Sequence, residues 1–184
     1  MAQAATASEL RETVVTATRV EQPLSDLVAD VSIIDSETIQ RSGAVGVADI
    51  LARVPGIQIT RNGGPGSNAS VYVRGGETRF TAVYIDGVRV DSQSTGGATW
   101  EQIPLSQIDR IEVLRGPAAA VYGSDAVSGV IQLFTKKGDG NKPAPYVGVG
   151  FGIRGTYTAE AGVSGAAGAF DYSLGMTHER SDGF

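Results

Sequence analysis

Apolar and polar residues alternate most regularly in the last part of the chain. Three segments place apolar side chains at every second position, with glycine, small or polar residues between them. A period of two is typical of β-strands with two different faces, so the pattern predicts three antiparallel strands joined by short turns. The apolar positions are Val147, Val149, Phe151 and Ile153, then Tyr157, Ala159, Ala161 and Val163, then Phe170, Tyr172, Leu174 and Met176.

Two kinds of sheet show this alternation. In a transmembrane β-barrel the apolar face meets lipid and the other face meets water or a plug. In an amphipathic antiparallel sheet of a soluble protein, the apolar face covers a core. The second face of these segments is poor in charge and rich in glycine, which favours the barrel. Because the smallest membrane barrels use about eight strands, we expect residues 144–184 to be only the beginning of one.

Residues 27–137 alternate short strands, short helices and glycine turns. Val31–Ile34 is a predicted strand, and Asp35 or Ser36 is suited to cap a short helix that Gly43 ends. A second, amphipathic helix is predicted from apolar residues at helical spacing and is stopped by Pro55-Gly56. Its apolar residues are Val47, Ile50, Leu51 and Val54.

The rest of this region predicts more strands and one short helix. A helix is expected to begin at Pro117 and end at Gly123. The strands are expected at Ile57 to Ile59, Val71 to Val73, Val83 to Ile85, Arg110 to Leu114 and Val130 to Thr135. Short helices on a mixed sheet make an α+β domain. We therefore divide the chain into a polar N-terminal arm (1–26), an α+β domain (27–137) and the first strands of an incomplete barrel (144–184).

Composition removes several classes of function. The formal net charge is −5 and there is no basic stripe, which argues against a nucleic-acid partner. The chain has no cysteine, so disulfide, thiolate-metal and thiol-nucleophile chemistry are excluded. Glycine supplies 25 of 184 residues, about twice the average usage of roughly 7%, which indicates a turn-rich β protein.

The motifs that would indicate catalysis or a bound metal are incomplete. The glycine-rich segment 62–66 lacks the Lys-Ser/Thr of a phosphate loop. Ser124 lacks the glycine context of a nucleophile elbow and a partner histidine. His178 has no potential ligands at metal-binding spacing, so a solvated strand-end histidine is the simpler interpretation. We predict no enzymatic activity and no metal site.

Four charged residues lie on or beside apolar strands, where a charge is costly unless it is paired. One interpretation is that they line a solvated sheet face. The other is that they meet counter-charges on an enclosing wall and form a docking interface. The four are Arg74, Arg110, Glu112 and Arg115.

Four ordered motifs resemble the plug of TonB-dependent outer-membrane receptors. They are Val54-Pro55-Gly56-Ile57, Val73-Arg74-Gly75, Ile85-Asp86-Gly87-Val88-Arg89, and the long run Arg110 to Pro117 followed by Val121 to Ala126 and Gly129 to Ile131. Within the family, segments 16–23, 62–64 and 122–126 resemble the receptors for vitamin B12 (cobalamin). The resemblance implies a plug domain inside a Gram-negative outer-membrane barrel, surrounded by lipid.

The resemblance also implies roles for residues. Segment 12–17 is similar to the Ton box, which pairs with TonB in the periplasm, and an exposed β-branched segment suits strand addition to a partner. Its residues are Glu12, Thr13, Val14, Val15, Thr16 and Ala17. The positions implied to contact the ligand are Asn62, Asn68, Ser70, Glu77, Thr95 and Gly96.

The resemblance leaves the imported nutrient open between related ligands. Cobalamin is the first expectation, with no covalently bound cofactor, and a siderophore or haem is the alternative. The segment Glu179-Arg180-Ser181-Asp182 is short compared with the family's calcium-binding loop, so we expect no calcium site. A different class, a soluble periplasmic or extracellular binding module, would require the last three strands to form an ordinary sheet.

Overall fold

The structure is a computed structural model that describes residues 14–15, 22–23, 30–64, 66–92, 96–138, 142–168 and 170–183. In chain order, its strands and α-helices are β1 (Val14–Val15), β2 (Gln22–Pro23), β3 (Asp30–Ile34), α1 (Ser36–Arg41), α2 (Val47–Leu51), β4 (Ile57–Arg61), β5 (Ala69–Val73), β6 (Thr81–Ile85), β7 (Val88–Arg89), β8 (Ile108–Arg115), β9 (Gly129–Thr135), β10 (Ala144–Phe151), β11 (Tyr157–Ala167) and β12 (Phe170–Arg180).

A five-stranded mixed sheet, in the order β3-β8-β9-β6-β7, occupies the centre of the α+β domain, which we label the plug after the resemblance of its motifs. Strands β6 and β9 are parallel, and the other neighbours are antiparallel. A separate ribbon pairs β4 with β5, from Ile57 opposite Val73 to Arg61 opposite Ala69. This arrangement confirms the α+β class with a mixed sheet.

Each face of the central sheet packs against a different layer. On one face, Ile111, Val113 and Leu133 are fully buried in a cluster that includes Leu51 of α2 and Val73 of β5. On the other face lies a second cluster made of Ala82, Leu114, Ala119, Tyr122, Ala126 and Val130. The two clusters are made of different side chains, so a slip by one residue would bring the wrong set into each cluster, and the packing on both faces specifies the register of the sheet.

The first helix has the predicted limits. The carboxylate of Asp35 accepts a hydrogen bond from the backbone N–H of Thr38 at 2.8 Å, which satisfies one free donor of the first turn. Helix α1 ends at Arg41, and Gly43 follows in the left-handed region with φ of +61°. The local residues therefore begin and end this helix as the sequence indicates.

Two other predicted helices differ from expectation. Helix α2 was expected to continue to Pro55 but ends at Leu51, and Val54 instead donates to the Leu51 carbonyl in a tighter i to i−3 bond. Arg53 likewise donates to the Ile50 carbonyl, so tighter i to i−3 bonds replace the α-helical ones at Arg53 and Val54. Proline disfavours the α conformation only in the residue before it, Val54, so it stops the turn but does not explain the end at Leu51. The helix expected from Pro117 is a 3₁₀ helix over Pro117–Tyr122, before Gly123 with φ of +107°.

Strands β10, β11 and β12 form the predicted antiparallel sheet, here called the wall. Along one face Val147 is opposite Ala161, which is opposite Met176. This face is bare: Phe151 is 88% exposed and Val147 80%. A continuous exposed apolar face on antiparallel strands is what lipid-facing barrel strands present.

On the opposite face of the wall, two glycines leave room for a tyrosine side chain to pack close to the backbone. Tyr146, Gly162 and Gly175 are direct cross-strand neighbours, and the Tyr146 side chain lies across both glycines. Lys136 of the plug places its Nζ 4.8 Å from the centre of the Tyr146 ring. A second contact joins the hydroxyls of Ser106 and Thr177 at 2.7 Å. The plug therefore touches the wall through a tyrosine that lies flat in a glycine recess.

We expect Gly162→Leu to destabilise the wall by about 2 kcal/mol, because its side chain would overlap the Tyr146 ring and overpacking costs about 1–3 kcal/mol. The measurement is the urea midpoint of the full-length protein in detergent. The matched control is Ala161→Leu, which adds the same side chain one residue earlier on the exposed apolar face. Equal midpoints for the two variants would contradict the glycine recess.

Candidate functional site

Three of the sequence motifs meet at one corner of the plug, where β5 and β8 end and β4 begins. The backbone N–H of Arg74 donates to the carbonyl of Gly56 at 2.7 Å. Arg74 itself has φ of +52°, a conformation that is uncommon outside glycine. Gly116, the residue after β8, has φ of +83° and lies beside the Arg74 guanidinium. These residues, together with Asp30 at the start of β3, form what we call the arginine corner.

The carboxylate of Asp30 accepts hydrogen bonds from both arginines of the arginine corner. Arg115 is opposite Asp30 in the β3–β8 register and binds its carboxylate through two nitrogens, Nε at 3.0 Å and Nη2 at 2.6 Å. The Nη2 atom of Arg115 also donates to Ser32 Oγ at 2.7 Å. Arg74 Nη2 donates to the same carboxylate at 2.5 Å. One carboxylate is thus shared by two guanidinium groups.

These bonds lower the pKa of Asp30 to about 2, chiefly through the hydrogen bond from Arg115. A carboxylate with a lowered pKa stabilises the fold above its usual value near 3.8, and this contribution is lost as the pH falls toward 2. The Asp30 side chain is 46% exposed, so solvent screens much of the interaction.

The other two charged residues singled out in the sequence form a second pair. Arg110 Nε lies 3.0 Å from Oε1 of Glu112, whose side chain is fully buried. The Arg110 guanidinium also stacks 4.4 Å from the centre of the Phe134 ring. Arg74, Arg110, Glu112 and Arg115 therefore all have partners inside the plug. Their docking to an enclosing wall stays a prediction.

Two of the predicted ligand positions close one loop. The backbone N–H of Asn62 donates to the carbonyl of Asn68 at 3.2 Å, and within this loop Ser67 bonds to the Gly64 carbonyl. Ser70 follows in β5, on the face opposite the buried Val71. The structure thus brings Asn62 and Asn68 together and holds Ser70 on the strand that leaves the loop.

A second turn contains two more predicted ligand positions. Glu77 forms an ion pair with Arg79 and precedes the 3₁₀ turn Thr78–Phe80. Gly96 packs on this turn: a Cβ at Gly96 would lie 2.9 Å from Thr78 Oγ1. Glu77 and Gly96 therefore both lie next to Thr78. Thr95 lies outside the described residues.

Of the predicted Ton box, the structure describes only Val14 and Val15. They form β1 and pair antiparallel with β2, Val14 opposite Pro23 and Val15 opposite Gln22. Glu12, Thr13, Thr16 and Ala17 lie outside the described residues. The two described positions have the extended backbone that strand addition to a partner requires.

A cavity of about 720 Å³ separates the plug from the inner face of the wall. On the plug side it is bounded by the turn between α1 and α2 and by segment 100–106, and on the wall side by Gly148 and Gly150. Its charged lining consists of Asp49, Arg61, Glu101, Lys136, Glu160 and Glu179. Of the predicted ligand positions that the structure describes, none lines this cavity.

Sequence reasoning missed Asp30, which proves to be the partner of two arginines. It falls at the junction between the predicted arm and the first strand, where a charge is unremarkable. The available signal was the pair of arginines of which one follows β5 and the other ends β8, since each needs an acceptor near its strand end. Only the β3–β8 register shows that Asp30 supplies it.

Among the described residues, no three His, Asp or Glu side chains are grouped so that they could hold a metal ion. No helix in the described part of the chain is long and apolar enough to cross a membrane.

The fold and the arginine corner define a receptor plug. Residues 23–130 match the family described as TonB-dependent Receptor Plug Domain, and this chain belongs to that family. Among its relatives are the vitamin B12 transporters of Photobacterium profundum and Vibrio vulnificus. The first is 41% identical over 93% of this chain and 28% of the relative, and the second 41% identical over 70% of this chain and 21% of the relative.

Solved structures of receptors share the fold. The ferric enterobactin receptor of Pseudomonas aeruginosa is 28% identical with a TM-score of 0.63, over 81% of this chain and 24% of the receptor. The ferripyoverdine receptor of the outer membrane of the same organism has a TM-score of 0.74 over 91% of this chain and 22% of the receptor, at 19% identity. Both comparisons support a plug followed by barrel strands.

Family membership settles class and location. The expected outer-membrane localisation in a Gram-negative bacterium is confirmed, and the family is one of transport receptors. The resemblance to the vitamin B12 receptors is also confirmed. The chain spans about a quarter of the length of the relatives it matches.

Proposed function

We propose that this chain is the plug and first wall strands of a TonB-dependent transporter that imports cobalamin. One observation carries this proposal: relatives described as vitamin B12 transporters are 41% identical to the chain, and one of them aligns over 93% of it. Structures of the ferric enterobactin receptor reach only 27–28% identity. In this proposal the chain consists of an arm with the Ton box (1–26), the plug domain (27–137) and the first wall strands (144–184).

Import would use binding and mechanical coupling in place of covalent chemistry. Asn62, Asn68 and Ser70 would hold the ligand from one loop, and Glu77, Thr95 and Gly96 from the other. No covalently bound cofactor takes part, and TonB supplies the energy from the periplasmic side. Cobalamin is then the cargo that the transporter releases.

The coupling segment would be the Ton box, from Glu12 to Ala17. Strands β1 and β2 pair over only two residues each, and an isolated two-stranded hairpin is at best marginally stable in water. One of the paired residues, Pro23, has no N–H to contribute to the ladder. This pairing is therefore easily exchanged for a strand of TonB.

The plug would be held in the barrel by charges as well as by shape. Arg74 and Arg115 at the arginine corner, and the Arg110–Glu112 pair, are the proposed docking residues. The corner carries a net positive charge, because two guanidinium groups share the single carboxylate of Asp30. An acidic group on the wall would neutralise this net positive charge.

A siderophore receptor is the second candidate, supported by the ferric enterobactin and ferripyoverdine receptor structures. Membership of a family of outer-membrane receptors argues against the soluble binding module.

Titration of the purified full-length receptor separates the ligands. We expect cyanocobalamin to bind with a dissociation constant at least a hundredfold below those of haem and ferric enterobactin, since a mismatch that leaves buried polar groups unpaired costs several kcal/mol and each 1.4 kcal/mol is tenfold. The measurement is quenching of intrinsic fluorescence, with each compound titrated separately. Tighter binding of ferric enterobactin or haem would replace cobalamin as the cargo and leave the family assignment intact.

A further inference from the structure

The loop that joins β4 to β5 begins with Asn62, which is followed directly by Gly63. An asparagine side chain carries a carbonyl carbon and an amide nitrogen that can leave as ammonia, and the backbone nitrogen of the next residue is the nearest nucleophile. When that next residue is glycine, no Cβ obstructs the approach of its nitrogen. The sequence contains three asparagines, and Asn62 is the one that precedes a glycine.

The structure leaves the reacting groups of this pair free. Asn62 and Gly63 are both exposed. Among the described residues, neither the side chain of Asn62 nor the backbone N–H of Gly63 takes part in a hydrogen bond. Gly63 has φ of +148°, a conformation that residues with a Cβ rarely adopt. No described group therefore holds the Asn62 side-chain amide away from the nitrogen that would attack it.

A comparable pair, Asp86-Gly87, is held in place. The carboxylate of Asp86 accepts hydrogen bonds from the backbone N–H of Thr135 at 3.0 Å and from the Thr135 hydroxyl at 2.6 Å. These bonds fix the carboxylate on β9, so it is not free to meet the nitrogen of Gly87. The tertiary structure therefore distinguishes two residues that both precede a glycine, and it leaves Asn62 as the reactive one.

We infer that Asn62 is a site of spontaneous deamidation, and that its conversion loosens the loop closure between Asn62 and Asn68. The nitrogen of Gly63 attacks Cγ of Asn62: a C–N bond forms, the Cγ–Nδ2 bond breaks, and ammonia leaves with the proton of the Gly63 N–H. Water then opens the cyclic imide at either of its carbonyl carbons. Opening at Cγ gives aspartate, and opening at the backbone carbonyl carbon gives isoaspartate, whose main chain runs through Cγ. The reaction needs water and no oxidant or reductant.

Either product changes the end of the loop that is closed. Both products carry a negative charge where a neutral amide was, and isoaspartate also lengthens the main chain between Asn62 and Gly63. The N–H of Asn62 donates to the carbonyl of Asn68 at 3.2 Å, and a Cβ at Gly63 would already lie 3.1 Å from Ser67 Oγ. A longer main chain at this point therefore displaces Ser67 or opens the closing bond.

The expected effect on ligand binding rests on the proposed function, because it requires a ligand at Asn62 and Asn68. The deamidation and the loss of the closing bond do not require it. The two can therefore be measured separately.

Incubation of the full-length receptor, followed by mass spectrometry, tests the reaction. Cleavage after glutamate gives a peptide 38–77 that contains both Asn62 and Asn68, and electron-transfer fragmentation locates the conversion and distinguishes isoaspartate from aspartate. Asn68 precedes Ala69, a buried residue of β5 that has a Cβ. We expect conversion at Asn62 to be about tenfold faster or more, equivalent to about 1.4 kcal/mol in the activation free energy. Alkaline buffer should speed the conversion, because the attacking nitrogen loses its proton.

Two variants connect the reaction to the loop. Asn62→Asp supplies the aspartate product, and Asn62→Gln blocks the reaction, because its longer side chain would have to close a larger ring. Hydrogen exchange of the residue 62 amide and titration with cyanocobalamin are measured before and after incubation. In the parent receptor, exchange should rise and affinity fall, each by about tenfold, the scale of one lost hydrogen bond. Neither quantity should change on incubation of Asn62→Gln, whatever its starting value, and Asn62→Asp should begin at the weakened affinity.

The outcomes separate the deamidation from the proposed function. No conversion at Asn62, or equal conversion at Asn62 and Asn68, would overturn the inference. Conversion with unchanged exchange of the Asn62 amide would overturn the effect on the loop, and an equal fall in affinity of incubated Asn62→Gln would overturn the effect on binding. If cyanocobalamin does not bind the parent before incubation, the proposed cargo fails, and the mass and exchange measurements still decide the inference.

Discussion

We expect Val14→Pro to abolish import by the full-length receptor while ligand binding stays at the level of the parent. Strand addition to a partner uses backbone N–H groups, and proline has none and restricts its own φ. Val14 is one of the two described positions of the proposed Ton box and is already extended. Uptake of radiolabelled cyanocobalamin by cells, and binding by the same cells without energy, are the two measurements.

The control for this prediction is a proline elsewhere in the arm. Ala5→Pro lies outside the proposed Ton box and should leave uptake within about twofold of the parent, because substitutions away from special structural features usually have small effects. Normal uptake by Val14→Pro would remove the coupling role from this segment. Loss of uptake in both variants would show that the arm is sensitive to proline at any position.

The second large effect is expected from Gly129→Val, which should destabilise the plug by about 3 kcal/mol or more. Gly129 begins β9 between two other strands, and its backbone is extended. A Cβ there would lie 2.7 Å from the carbonyl oxygen of Leu114 and 3.1 Å from Val73 Cγ1. Neither neighbour can move easily, since Leu114 and Val73 are fully buried.

Hydrogen exchange of the full-length receptor measures this loss strand by strand. Protection of the amides in β8 and β9 should fall by about a hundredfold or more, because each 1.4 kcal/mol is a factor of ten. Gly46→Ala is the matched control: it also adds a Cβ to an extended glycine, but the nearest atom is an Asp49 oxygen at 3.8 Å. Full protection of β9 in Gly129→Val would contradict the close approach of these strands.

Features that depend on neighbours in the chain were predictable. The Asp35 cap is encoded within four residues and was predicted. The turn at Asp86-Gly87, which joins β6 to β7 with both residues at positive φ, is equally local but was noted only as part of a family motif. Alternation along β10 to β12 predicted which face would be apolar, since successive side chains in a strand point to opposite faces. The local pattern was misleading at α2, where the apolar spacing continues to Val54 but the helix does not.

Only part of the arginine corner was predictable from the sequence. The arginines at positions 74 and 115 were recognised from their motifs, and the sequence left open whether they line a solvated sheet face or meet counter-charges on an enclosing wall. Asp30 lies 85 residues from Arg115 and 44 from Arg74. Nothing in the local sequence links these three residues, because they come together only when β3 pairs with β8.

By itself, the sequence determined the succession of strands and short helices, the two-faced character of the wall and the family of the plug. Each of these features follows from the spacing of apolar residues, from helix caps or from family motifs, all of which involve only a few neighbouring residues. Only the tertiary structure decided that Asp30 serves two arginines and that Tyr146 lies across glycines of two other strands. The physical reason is that burial of apolar faces sets the strand register, and polar partners follow from that register.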